Sequence, residues 1–76
     1  MKAYTYRTII EPDEKGFHGF VPLLRGVHTM GKTIEETRKN LNEAIRAHVA
    51  GLLKDGIKPP QEENVVEVVQ TFTFNA

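Results

Sequence analysis

Three imidazoles and ten carboxylates are the groups in this 76-residue chain that could move protons or hold a metal ion. Imidazole titrates near neutral pH and is a common metal ligand. His18 and His28 fall in neighbouring predicted strands, and a suitable hairpin register would make them cross-strand neighbours. A structural zinc site asks for four ligands in a tight arrangement, and the chain has no cysteine to supply thiolates. His48 borders the apolar face of a predicted helix. All three are expected in structural or surface roles, with partner contact the second reading for His18 and His28.

The carboxylates point the same way. A metal-dependent nuclease needs several of them converging, because two ions clamp the attacking and leaving oxygens. Glu11, Asp13, Glu14, Glu35, Glu36, Asp55, Glu62 and Glu63 fall instead mostly in turns, a helix start or a linker. No catalytic residue, metal site or cofactor is expected, and the chain reads as a non-enzyme.

Recognition chemistry is better represented. "PLLRG" (22–26) sets Arg25 beside Leu23 and Leu24 in a loop. Loops held by a rigid sheet often carry binding residues, although the leucines could equally fold under the sheet as a plug. With His18 and His28 they make up the candidate partner-binding set. Tyr4 and Tyr6 could stack on bases, but no basic stripe accompanies them, so cross-strand packing is the better account. Ten basic residues balance ten acidic ones, for net charge +0. Direct nucleic-acid binding is therefore not expected. No apolar run is long enough to span a membrane and no signal peptide opens the chain, so a cytoplasmic location is expected.

The elements that position these groups follow from pattern. "KAYTYRTIIE" (2–11) is rich in aromatic and β-branched residues and predicts a first strand. "PDEKG" (12–16) supplies a turn, "FHGFV" (17–21) a second strand and "VHTM" (27–30) a short third. Thr33 with Glu36 forms a capping box for a helix running to Asp55. Ile34, Leu41, Ala44, Ile45, His48, Val49, Leu52 and Leu53 fall on its apolar side. Arg38 sits inside that stripe, where it must either snorkel to water or pair with an acid. Gly56 ends the helix and Pro59–Pro60 forbid its continuation.

"VVEVVQTFTF" (65–74) predicts a last strand. The expected fold class is α+β in a single domain, residues 1–76, with order βββαβ. Three strands form an antiparallel meander, and one helix packs on one face and crosses over to a parallel fourth strand. One helix cannot cover both faces of such an apolar sheet. A partner or a second copy should complete it.

The ordered landmarks resemble the HicB antitoxin family. They are "EPDEKGF" (11–17), "PLLRG" (22–26), "GKTIEET" (31–37), "NEAI" (42–45) and "DGIKPP" (55–60), covering about residues 4 to 60. The resemblance implies a partial ribonuclease-H-like fold without nuclease activity. It also implies assembly as a homodimer or homotetramer, and binding to a HicA-like toxin, a small ribonuclease that degrades messenger RNA. Many members carry a C-terminal DNA-binding module, and none is expected here because the sequence stops at Ala76. Lys32, Leu23, Val27 and Arg25 depart from the residues the family favours. Two alternatives remain open: a homo-oligomeric structural protein without a toxin, and a metal-dependent nuclease remnant.

Overall fold

The computed structural model describes residues 2–75. Strands β1 (Ile9–Asp13), β2 (Gly16–Phe20) and β3 (His28–Gly31) form an antiparallel sheet in the order β1-β2-β3, followed by helix α1 (Ile34–Lys54). The α+β meander and helix are therefore as expected. Glu14–Lys15 turns the first hairpin, with Asp13 Oδ1 accepting from the Lys15 amide at 2.9 Å. Pro12 belongs to β1 rather than to the turn. It is tolerated there because β1 is an edge strand, whose outward side needs no donor.

β1 is shorter at its start than the composition of residues 2–11 predicts. Ile9 pairs with Phe20, the last residue of β2. Residues before Ile9 would need a continuation of β2, but the chain folds there into the 21–27 loop. That loop closes on itself through Val21 N–H to Val27 O at 3.2 Å and Val27 N–H to Leu24 O at 3.1 Å. Residues 2–8 consequently form no ladder within the described chain.

The helix begins and ends by local rules. The Glu36 amide donates to Thr33 Oγ1 at 3.0 Å, and Glu36 Oε1 reaches back to accept from the Lys32 amide at 3.3 Å. At the other end Gly56 takes φ +73°, and the Ile57 amide bonds Leu52 O at 2.9 Å.

Leu24, Leu41, Val21 and Val27 form the buried core, with Tyr6, Ala44, Ile45 and Val49 packed against it. Thr37 is fully buried at the helix–sheet contact, its hydroxyl donating to Thr33 O at 2.8 Å. Two glycines make that contact close. A Cβ on Gly31 would lie 2.5 Å from Thr37 Oγ1, and one on Gly19 would lie 3.0 Å from Thr37 Cγ2. Asn40 completes the clasp by donating to Met30 O at 2.9 Å.

Two expectations fail in the helix. Ile34 and Leu53, assigned to its apolar side, are both at least half exposed. Arg38 lies outside the buried stripe, which runs through Thr37 and Leu41; it is exposed and pairs with Glu35 at 3.5 Å.

The largest correction is at the C-terminal end. Residues 65–74 form no strand, and every residue from 63 to 75 is exposed. They project as an arm. The radius of gyration is 15.1 Å, against about 11 Å for a compact chain of this length. Among the described residues the arm is tied at its root. The Glu62 amide donates to Thr5 O at 2.9 Å, and Arg7 Nη1 bonds Glu67 Oε1 at 3.0 Å. Arg7 Nε and Glu62 Oε1 are buried and face each other at 3.7 Å, an ion pair without a formed hydrogen bond.

Candidate functional site

Pairing register decides which side chains share a face, because directly opposed residues point the same way. Gly19 and Gly31 contact the helix. Their partners and same-parity neighbours (Ile10, Pro12, Phe17, Thr29) therefore lie on the covered side. The opposite parity puts Ile9, Glu11, His18, Phe20, His28 and Met30 together on a face that no element of the described chain covers.

This open face brings two of the five candidate residues together. His18 opposes Met30 and Phe20 opposes His28, so the two histidines are diagonal neighbours. Their ring centroids are 5.9 Å apart, edge to face, and His18 stacks on Phe20 at 5.6 Å with a 21° interplanar angle. Met30, 57% exposed, extends the patch toward one edge. Glu11, directly opposite His18 across the β1–β2 ladder, gives it an acidic border. The result is a flat aromatic and imidazole surface with a flexible thioether, suited to stacking and to hydrogen bonding at its rim.

The "PLLRG" loop divides its residues between two jobs. Leu24 is 2% exposed and belongs to the core, so it presents nothing to a partner. Leu23 and Arg25 remain at the surface, and Gly26 makes the tight return at φ +84°. Leu24 thus serves as the plug, and of the loop's three candidates only Leu23 and Arg25 remain available for recognition.

A second surface was not foreseen. Between residues 2–6 and the C-terminal half of α1 lies an open groove of about 670 Å³, lined by Tyr4, Tyr6, Ile45, Val49 and Leu53, with Lys2, Asn42 and Arg46 among its polar residues. Burial, with a smaller contribution from Tyr4, raises the Tyr6 phenol above its usual 10.0. The Tyr6 hydroxyl is buried and has no hydrogen-bond partner among the described residues. The tyrosine pair was legible in the sequence; that its helix-side flank stays open was not.

Among the described residues no three His, Asp or Glu side chains gather where a metal ion could bind. Among the described residues no helix is long and apolar enough to cross a membrane.

A three-stranded antiparallel meander clasped by one helix, with its far face bare, defines a small α+β sheet-and-helix protein. The UPF0150-like family model matches residues 1–60, spanning the meander, the helix and its proline exit, and the chain belongs to that family. A UPF0150 protein of Synechocystis is 34% identical over 67 residues, covering 87% of this chain and 85% of its own. One from Thermoplasma acidophilum is 43% identical over 58 residues, covering 75% of this chain and 84% of its own. One from Helicobacter pylori is 38% identical over 58 residues, covering 76% and 81%. No solved structure matches.

Proposed function

We propose that this protein is a HicB-like antitoxin, a non-catalytic binding module that occludes a HicA-like messenger-RNA-degrading toxin. The observation that carries the reading is the uncovered sheet face, where Ile9, His18, Phe20, His28 and Met30 form a preformed contact surface. A toxin lying on this face would exclude RNA from its active site by bulk. Leu23 and Arg25 would extend the contact. The ribonuclease-H-like completion of the sheet by a parallel fourth strand belongs to the same reading. The bond from the Glu62 amide to Thr5 O begins such an alignment beside residues 2–8.

A second reading, a homo-oligomeric interaction protein without a toxin, is favoured by the exposed arm, whose apolar side chains need cover.

The test is co-expression with a HicA-like toxin from a neighbouring reading frame, read by co-purification and by recovery of growth. Rescue that is lost on Phe20→Asp with His28→Asp, in protein still folded by circular dichroism, is the expected outcome. Rescue unaffected by that pair, or no binding at all, overturns the reading.

A further inference from the structure

We infer that two copies of this chain exchange their C-terminal arms, each laying Val68, Phe72 and Phe74 into the other's groove between residues 2–6 and α1. The inference deepens the homo-oligomer reading and is independent of any toxin.

The arm and the groove are complementary in kind. In an extended chain alternate residues share a side, which puts Val66, Val68, Phe72 and Phe74 together, interrupted only by Gln70. These apolar residues are bare in the isolated chain: Phe72 is 71% exposed and Phe74 81%. The groove offers Tyr4, Tyr6, Ile45, Val49 and Leu53 as apolar lining, with Lys2 and Arg46 as its cations. The arm's one charged residue, Glu67, stays at its own chain's Arg7 at 3.0 Å and on the opposite side of the arm, so the face offered to the groove carries no charge. The buried, unpartnered Tyr6 hydroxyl adds a donor that Gln70 or a backbone carbonyl of an incoming strand would satisfy.

Geometry selects a second copy over the chain's own arm. The arm meets Thr5 at Glu62 and Arg7 at Glu67, so it advances with the N-terminal segment and leaves Lys2–Tyr4 behind it. No described residue of the arm lines the chain's own groove.

Reach is sufficient in trans. Eight residues from Val68 to Asn75 span roughly 26 Å when extended, while the groove's helical wall from Asn42 to Leu53 is about 17 Å long. Area is sufficient too. Two phenylalanines bury on the order of 300–500 Å² per arm. With two arms and the groove walls they cover, the total approaches the roughly 1,200–2,000 Å² of a stable interface. The missing fourth strand then arrives from the partner, alongside Lys2–Tyr4 and short of the point where Gln61 and Glu62 meet Thr5.

Sedimentation equilibrium of the purified chain tests this, with Phe72→Asp and Phe74→Asp combined as the breaking variant. Both positions are solvent-exposed in the single chain, so the variant keeps its fold. Wild type should dimerise, and the variant should associate about 100-fold or more weakly. Placement is read by co-refolding two differently tagged chains, one carrying Ala50→Cys in the groove wall and the other Gln70→Cys on the arm, the parent having no cysteine. A disulfide joining the two differently tagged chains is the expected product, with Glu14→Cys in place of Gln70→Cys giving none. A monomeric wild type overturns the inference, as does the absence of any disulfide between the Ala50→Cys and Gln70→Cys chains. A dimer that survives the aspartates also overturns it, while leaving the homo-oligomer reading in place.

Discussion

The two faces of the sheet are made by the same fourteen residues of three short strands, offset by one position in the chain. On one side Gly19 and Gly31 let Thr37 and Leu41 come down onto the backbone. On the other, His18, Phe20, His28 and Met30 stand up from it with no helix or strand of the described chain above them. The covered side has traded side chains for proximity, and its stability comes from the helix. The open side keeps large, adaptable side chains that contribute little to the fold of the isolated chain. The difference teaches that folding and recognition are separated here by strand parity rather than by domain.

That separation can be tested from its strongest side downward. Leu41→Ala removes a 1% exposed side chain at the centre of the contact. It should cost about 2–5 kcal/mol, measured by urea unfolding. In a chain this small, that would leave much of the population unfolded. Gly31→Ala should come next, at about 1–3 kcal/mol, because the added methyl meets the Thr37 amide nitrogen at 2.7 Å and its Cα at 3.0 Å. A neutral result would show that the helix can slide and that proximity is not what holds it.

On the open face, His28→Ser with Met30→Ser should shift stability by no more than about 0.5 kcal/mol. A large loss there would mean that the two faces are energetically coupled.

The smallest effect is confined to alkaline solution. Burial raises the Tyr6 phenol above 10.0, so the unfolded chain releases this proton first. Its contribution is complete below pH 10 and is lost as pH rises through the higher folded value. Tyr6→Phe, which removes a buried hydroxyl without a partner, should be at least as stable as wild type near neutrality, and its advantage should grow above pH 10. Equal pH profiles in thermal melts would show that the Tyr6 phenol is not linked to folding.

How much was legible in the sequence follows from how local each signal is. Thr33, Glu36 and Gly56 specify the helix ends through bonds spanning three to five residues, and each sits where its chemistry predicts. The hairpin is likewise written in Asp13 and Gly16, although Pro12, a turn residue by type, occupies the edge strand instead. Leu23 and Leu24 are identical in type and adjacent. Only closure of the 21–27 loop decides that Leu24 is the one buried.

Residues 2–8 and 65–74 have strand composition but no ladder, because composition states what a segment can pair with and not whether a neighbour is there. The cross-strand meeting of His18 and His28 depended on register, and the register supplied it. The groove beside Tyr6 is the joint product of two segments more than thirty residues apart, which no local pattern reports.

The glycine seat beneath Thr37 also bears on how this surface can change over generations. Because the helix grips main chain rather than interlocking with strand side chains, residues 9, 18, 20, 28 and 30 are relieved of any part in holding the layers together. They can drift in chemistry while the scaffold stays put, so new partners can be acquired without refolding the old frame. A library randomised at those five positions should remain mostly folded, whereas one randomised at positions 19 and 31 should not.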